Sequence, residues 1–215
     1  SAASDVYKRQ YILFYHNGSA NNNIGRRCVY ALSKDLKTWS NKGEIFNSYD
    51  IIDSKGNKNI HCYANCDGLV LSNGDILAVA SCRANSGYRD LPEDAGIELK
   101  RSTDNGVTWS EPIKIYQGVN WEPFLLELPT GELHCYFTDS SRTGLEGHGT
   151  DTGTAMVVST DGGKTWKPDF SSSPYYVLRM RWEKNGIVGY NHQMPSVVRP
   201  VSYTHLRAHE TRHDL

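Results

Sequence analysis

The chain has 215 residues, with 23 Lys and Arg residues against 24 Asp and Glu residues and a formal net charge of −1. A nearly neutral chain without a basic run disfavours nucleic acid as the main partner. No stretch approaches the ~18 consecutive apolar residues that a membrane-spanning helix requires, so we expect no membrane span.

The two ends of the chain differ from the rest. Residues 1–10 show no strand periodicity, and residues 201–215 contain three His and two Arg residues with little apolar content. Both segments resemble translated sequencing-library adapter, so they are left out of the fold prediction, as fusion scars are. The sequence then predicts one structural unit, residues 11–200.

Within that unit, short aromatic-rich runs alternate with turn residues, and no segment has a helical period. The predicted strands are Tyr11–Tyr15, Cys28–Leu32, Gly68–Leu71, Ile76–Ala80, Ile97–Leu99, Pro123–Leu128, Leu133–Phe137 and Thr154–Val158. A last unit is expected to begin near Tyr176 and to stop in Met194–Arg199. Each unit contains a strand, a Gly turn, a strand, a long loop, a strand, a repeated turn motif and a strand.

The repeated turn motif is the most informative pattern in the chain. Ser102–Trp109 recurs as Ser159–Trp166, and Ser33–Trp39 is a shorter copy that lacks the glycine. In each copy an Asp carboxylate can accept N–H groups across the turn, and Gly can supply a positive φ, so we expect a tight hairpin. Repetition after several tens of residues is typical of propellers with four-stranded blades.

This motif resembles the Asp box of the sialidase superfamily. The resemblance implies an all-β fold, namely a six-bladed propeller of four-stranded antiparallel blades. This chain would then be a fragment of such a propeller, with three blades in whole or part. In that superfamily the box joins outer strands on the face away from the active site. We therefore assign the boxes to folding.

The resemblance also implies two catalytic carboxylates. Glycosidases generally use two carboxyl groups, whereas sialidases use a Tyr nucleophile with a Glu. Asp90, eleven residues before Arg101, corresponds to the acid/base Asp of the superfamily, with Asp94 as the alternative. Glu122 precedes an apolar strand and a Pro-x-Gly turn, as the Glu that activates the nucleophile does. A carboxylate at this position is costly unless it lines a wet cavity or is paired.

The match to true sialidases fails at the residues that bind the substrate carboxylate. Three Arg residues hold that planar anion in sialidases, because guanidinium pairs with it in a bidentate manner. Ala64 and Thr138 stand at two of the corresponding positions. The Arg residues that could substitute are Arg83, Arg142, Arg179 and Arg181, and none occupies a matching position.

A neutral sugar is therefore the expected substrate. Trp121–Leu125, Cys135–Asp139 and Asn191–Pro195 resemble segments of the exo-arabinanase-type relatives of sialidases. The residues expected to bind the sugar are Asp67, Arg83, Trp121, His192 and Gln193. The indole of Trp121 offers a stacking face, and the others offer polar groups.

Five Cys residues are scattered along the chain, and we expect them to be small buried strand residues. A disulfide between Cys62 and Cys66 is left open. No second Cys pair and no nearby His cluster completes a zinc set, so the sequence predicts no metal site and no cofactor.

The resulting hypothesis is a monomeric, secreted or periplasmic, exo-acting glycoside hydrolase that removes terminal sugars from a glycan. Two alternatives stay open. The first is a true exo-α-sialidase, and the second is a non-catalytic propeller that binds a glycan or a protein.

Overall fold

The computed structural model describes residues 10–18, 26–141, 143 and 151–198. Within these residues the protein contains β-strands and two short 3-10 helices, Tyr88–Asp90 and Pro92–Asp94, and no α-helix. No helix of this part of the chain is long and apolar enough to cross a membrane. The segments 1–9 and 201–215, and the side chain of Arg142, lie outside the described residues.

The described strands form three sheets. The first sheet contains β1 (Tyr11–Asn17), β2 (Arg27–Ser33) and β3 (Ser40–Phe46) in sequence order. The second contains, also in order, β4 (Tyr49–Ile52), β5 (Lys58–Val70), β6 (Ile76–Ala84), β7 (Gly96–Ser102) and β8 (Ile113–Gln117). The third contains β9 (Asn120–Glu127), β10 (Leu133–Asp139), β11 (Asp151–Ser159), β12 (Tyr175–Leu178), β13 (Arg181–Lys184) and β14 (Ile187–Asn191).

In the first two sheets sequential strands pair antiparallel, as hairpin turns require. In the third sheet β9–β12 do the same, and β14 pairs parallel with β11. The early strands β1, β5 and β9 of the three sheets pack side by side. Gly68 on β5 lies against the Phe14 ring on β1, and Asp67 on β5 accepts a hydrogen bond from Leu125 on β9. The sheets are therefore arranged as successive propeller blades, and they do not close into a ring. The predicted all-β partial propeller is confirmed.

The hydrophobic core lies between neighbouring sheets, with β6 buried on both faces. Leu77 and Val79 on one face of β6 pack into a cluster shared with the third sheet. Ala78 and Ala80 on the other face pack into a cluster shared with the first sheet. A strand buried on both faces has a continuous apolar sequence. The continuous apolar run Ile76–Ala80 therefore predicts this strand correctly.

Both full Asp boxes form the same hydrogen-bonded turn. Asp104 accepts the Thr108 N–H at 2.9 Å and the Thr108 hydroxyl at 2.5 Å. Ser102 donates to Asp104 at 2.8 Å and accepts the Gly106 N–H at 2.8 Å. These bonds, chiefly those from Thr108, lower the pKa of Asp104 to about 2. The second box repeats the pattern around Asp161.

Two details of the boxes differ from the sequence prediction. The connection from β7 to β8 spans residues 103–112, so it is longer than a two-residue hairpin. The Asp carboxylate stabilises this longer loop by accepting several N–H groups at once. The copy without glycine also forms the turn, because Asp35 accepts the Thr38 N–H at 2.8 Å and Leu36 adopts φ 62° in place of a glycine.

Some strand predictions were incomplete. β5 begins at Lys58, ten residues before the predicted Gly68, because its first half carries polar residues that the apolar pattern passed over. β3, β4 and β13 were missed for the same reason. Tyr176 does not begin a new unit, since it lies in β12 and pairs with Ala155 of β11.

The cysteine arrangement was also only partly predicted. Cys28 on β2 forms a disulfide with Cys66 on β5, with Cα atoms 6.4 Å apart. Because Cys66 is bonded to Cys28, the Cys62–Cys66 disulfide that the sequence left open does not form. A bulge on β5 between Ala64 and Asp67 accompanies this link between the first and second sheets. Cys62, Cys82 and Cys135 are buried free thiols, as expected for small strand residues.

Candidate active site

Glu122 lies on β9, where the pairing with β10 is irregular. The register shifts between Tyr136 and Thr138, so the strand bulges at this point. Glu122 has φ 50°, in the left-handed region that non-glycine residues seldom occupy and that costs about 1–3 kcal/mol. Bulges of this kind redirect a side chain, and they are common beside active sites.

The carboxylate of Glu122 is only partly satisfied. Its Oε2 atom is buried and has no hydrogen-bond partner among the described residues. Burial raises the pKa of Glu122 above its ordinary value of 4.5, and the nearby Thr138 hydroxyl opposes part of that rise. A half-buried carboxylic acid with a raised pKa and a free oxygen is suited to proton transfer or to nucleophilic attack.

The loop that contains Asp90 contacts the start of β9. The Tyr88 and Trp121 rings meet edge to face with centroids 6.4 Å apart. The Arg89 guanidinium lies 5.8 Å from the Trp121 ring, and the Arg83 guanidinium lies 4.3 Å from the Tyr88 ring. The residue before Glu122 is thereby in contact with the two residues before Asp90.

Asp90 itself is exposed, and its backbone N–H donates to the Gly87 carbonyl at 2.9 Å. It lines a cavity of about 200 Å³ together with Val119 and Ser140. The alternative carboxylate, Asp94, is already engaged: its Oδ2 accepts the Ser54 N–H at 2.8 Å and the Ser54 hydroxyl at 2.7 Å. Of the two acids, Asp90 therefore retains the accessible carboxylate.

The segment that follows β14 approaches the same region. The Met194 N–H donates to the Thr138 hydroxyl at 2.9 Å, and Thr138 is the strand partner of Trp121. His192 is half-buried, and its Nδ1 accepts the Met180 N–H at 3.4 Å. Gln193 is exposed and donates to the Asn191 side chain.

Asp67 has a different environment from the one expected of a sugar ligand. Its Oδ2 accepts the Leu125 N–H at 2.8 Å, which joins β5 to β9. Burial raises the pKa of Asp67, and this backbone hydrogen bond opposes the rise. The contact that the structure shows is a link between sheets, and the proposed sugar contact stays a prediction.

The arginines that could hold a substrate carboxylate are largely engaged. Arg179 forms a bidentate pair with buried Asp151, at 2.9 and 2.5 Å. Arg181 pairs with Glu183 at the surface, at 2.7 Å. Arg83 stacks on Tyr88, as described above, and Arg142 lies outside the described residues.

The structure thus brings Trp121 into contact with the loop that contains Asp90, and Glu122 follows Trp121 on β9. His192 and Gln193 precede Met194, whose N–H bonds Thr138. Sequence reasoning missed Tyr88 and Arg89. The consecutive Tyr88–Asp90 residues in a predicted loop were the available signal, since an aromatic and a cation beside an acid are typical of binding loops.

Comparisons with known proteins agree with the architecture. The BNR/Asp-box repeat model matches residues 100–111 and 157–168, which contain the two full boxes. The chain therefore carries two Asp-box repeats on an all-β partial propeller. A search of curated protein sequences gives no match.

Two solved structures resemble the fold of this chain. The Hadza microbial sialidase Hz136 is 19% identical with a TM-score of 0.52, covering 73% of this chain and 34% of that one. A Cellvibrio cellulosa alpha-L-arabinanase mutant is 10% identical with a TM-score of 0.53, covering 84% of this chain and 63% of that one. The chain spans about a third and about 63% of these two proteins, and at such identities the likeness concerns the fold alone.

Proposed function

We propose that this chain supplies part of the active site of an exo-acting glycoside hydrolase, with Asp90 as the general acid and Glu122 as the second carboxylate. The observation that carries the proposal is the environment of Glu122. Its backbone is held in the left-handed region, its Oε2 is buried without a partner, and its pKa is raised. Strained, incompletely bonded acids of this kind concentrate at catalytic sites.

The two roles follow from the two environments. Asp90 lies on an exposed loop at a cavity, where a carboxylic acid can reach the oxygen of a leaving group. Glu122 lies deeper, at the bulge of β9, where it would attack the sugar or activate a separate nucleophile. The Trp121 indole, held by Tyr88, would stack on the sugar ring.

A neutral sugar such as an arabinosyl residue is the proposed substrate class. The two positions that carry Arg in sialidases hold buried Ala64 and fully buried Thr138, neither of which can pair with a carboxylate. Arg179 is already bound to Asp151. A glycan is the proposed partner, and the protein is proposed to act as a monomer.

The test compares Glu122→Gln with Glu127→Gln in this chain and in any longer protein that contains it. Glu127 lies on the same strand but accepts hydrogen bonds from Ser72, at 2.8 Å, so it is a matched control. On an aryl arabinofuranoside, Glu122→Gln should lower kcat/KM by about 10²–10⁴-fold, and Glu127→Gln should change it little. Equal activity of the two variants would remove Glu122 from the mechanism.

An aryl sialoside assayed in parallel tests the sugar class. Cleavage of the sialoside without cleavage of the arabinofuranoside would contradict the neutral-sugar proposal and would favour an exo-sialidase.

The second candidate function is glycan binding without catalysis. The Tyr88–Trp121 ring pair and the Arg89 guanidinium form a platform that would bind a sugar with or without hydrolysis. Calorimetric binding of an arabino-oligosaccharide that is lost in Trp121→Ala, with no turnover by the unmodified protein, would favour this function.

A further inference from the structure

A second cluster of chemically reactive side chains lies away from the candidate active site. His61, Cys82 and Glu98 place one ligand atom each within 4.8 Å of the others. Their exposures are 6%, 1% and 8%, so all three side chains are at least nine-tenths buried. Polar groups buried this deeply require partners, because their transfer from water is otherwise costly.

The register of the second sheet brings these residues together. His61 pairs with Ala84, Cys82 pairs with Gly96, and Glu98 pairs with Ala80. On β6 these positions are 84, 82 and 80, so the three side chains form a diagonal row on one face of the sheet. On their other sides the strand partners are larger: Tyr49 for His61, Tyr63 for Cys82 and Lys114 for Glu98.

One ligand atom of the cluster has no hydrogen bond. The His61 Nε2 atom is buried and unpartnered among the described residues, although it lies 3.5 Å from Glu98 Oε1. The Cys82 thiol donates a weak hydrogen bond to the same oxygen at 3.7 Å. A buried imidazole nitrogen that lacks a hydrogen bond and lies beside a carboxylate and a thiol is a candidate metal ligand.

The separations also fit a metal ion. Zinc binds His nitrogen and carboxylate oxygen at ~2.0–2.2 Å and Cys sulfur at ~2.3 Å in a tetrahedron, so neighbouring ligand atoms lie about 3.3–3.7 Å apart. The observed 3.5 and 3.7 Å agree with these edges. The mixture of imidazole, thiolate and carboxylate is suited to zinc rather than to calcium or magnesium, which select oxygen.

We propose that His61, Cys82 and Glu98 form a zinc site that ties together strands β5, β6 and β7. Binding deprotonates the Cys82 thiol, so one proton is released and the two anionic ligands balance the charge of Zn²⁺. The fourth position of the tetrahedron is left to water or another ligand.

Neighbouring groups support the ligands. The Tyr63 hydroxyl donates to Glu98 Oε2 at 2.6 Å, which leaves Oε1 directed towards His61 and Cys82. The Tyr49 ring stacks on the His61 ring with centroids 4.9 Å apart and fixes its plane. Such outer partners orient metal ligands in known sites. Lys114, the strand partner of Glu98, places a further positive charge near this carboxylate.

Metal ligands that are close in sequence are absent here, which is why the sequence predicts no metal site. His61, Cys82 and Glu98 are spread over 38 residues on three strands, and only their pairing brings them together. Cys62 and Cys66, the two cysteines that are close in sequence, are not among the three proposed ligands.

The test measures zinc in the purified chain with its Cys28–Cys66 disulfide intact, after dialysis against zinc and then against metal-free buffer. We expect one zinc per chain by elemental analysis, and a thiolate-to-metal absorption band when Co²⁺ replaces Zn²⁺. Cys82→Ala and His61→Ala should lose both signals. Tyr63→Phe should weaken zinc binding by about 10–100-fold, because Glu98 loses its orienting partner.

Cys62→Ser is the matched control, since Cys62 is a buried free thiol on β5 that pairs with Arg83. This variant should keep the zinc and the cobalt band. Absence of stoichiometric zinc from the unmodified chain, or its retention by Cys82→Ala, would overturn the proposal.

If Cys82→Ala does not fold, the double variant Cys62→Ser/Cys135→Ser decides. It leaves Cys82 as the free thiol of the chain. Its cobalt band would support the site, and loss of the band would refute it.

Discussion

Asp67 connects two adjacent sheets through one hydrogen bond. Its Oδ2 accepts the Leu125 N–H at 2.8 Å, which joins β5 to β9. Replacing Asp67 with Ala removes the acceptor and leaves this backbone donor unpaired at the junction of the sheets. We expect Asp67→Ala to lower the free energy of unfolding by about 1–3 kcal/mol, the cost of leaving such a group unsatisfied.

Asp67→Asn separates the hydrogen bond from the charge. The amide oxygen can still accept the Leu125 N–H, so we expect a change of less than about 1 kcal/mol. Burial raises the pKa of Asp67, and this shift sets the pH dependence. Protonated Asp67 stabilises the folded state, and this stabilisation is fully present below the ordinary pKa of 3.8. It is lost as the pH rises through the higher pKa that Asp67 has in the folded state.

Urea denaturation followed by Trp fluorescence measures both effects. Compared with Asp67→Asn, the unmodified protein should become relatively less stable between about pH 4 and about pH 7, because Asn does not ionise. If Asp67→Asn is as destabilising as Asp67→Ala at both pH values, the backbone bond is not what the carboxylate supplies. The hydrogen bond from Leu125 would then not explain the stability that Asp67 contributes, and a direct contact between Asp67 and a substrate hydroxyl would gain support.

Three further predictions concern the turns and the contacts between sheets. The pKa of Asp104 is lowered to about 2, so the ionised carboxylate stabilises the fold above pH 3.8, and this stabilisation is lost as the pH falls towards 2. Acid denaturation should show this loss. Breaking the Cys28–Cys66 disulfide, which spans 38 residues, should lower the free energy of unfolding by about 3–4 kcal/mol in urea titrations. Gly68→Ala should cost about 1–3 kcal/mol by thermal denaturation, since the added methyl group would overlap the Phe14 ring.

Each of these three has its own control. Asp104→Asn should lose the additional acid sensitivity, and an unchanged acid profile would contradict the role of the carboxylate. Cys62→Ser tests whether the reductant acts through the disulfide, since Cys62 is already a free thiol. Phe14→Leu should reduce the penalty of Gly68→Ala, and equal penalties in both backgrounds would argue against the steric explanation.

Much of the fold could be predicted because its signals are local. The Asp boxes carry their own hydrogen-bond donors and acceptors within eight residues, so Ser102–Trp109 and Ser159–Trp166 predicted their turns almost independently of the rest. Strands such as β6 were predicted from continuous apolar runs. The first half of β5 was missed because it carries polar side chains and therefore shows no apolar strand pattern. These side chains pack against neighbouring sheets, and that packing cannot be read from the local sequence.

Only part of the candidate active site could be predicted from local sequence patterns. Asp90 and Glu122 were identified as candidates, and the contact between Tyr88 and Trp121 brings their segments together. The spacing to Arg101 already favoured Asp90, whereas the engagement of Asp94 depends on Ser54, forty residues earlier in the chain. The free oxygen and raised pKa of Glu122 follow from a bulge and from burial, which depend on how β9 meets β10.

The sequence by itself determined the repeated turns, the strand-rich composition and the absence of two arginines at the positions where sialidases hold their substrate. These features depend on residue identity and on short spacings. Only the tertiary structure decided that Cys28 bonds Cys66, that Asp67 links two sheets, and that His61, Cys82 and Glu98 share one face. The reason is that strand register and sheet packing bring together residues tens of positions apart, and no local pattern specifies those distances.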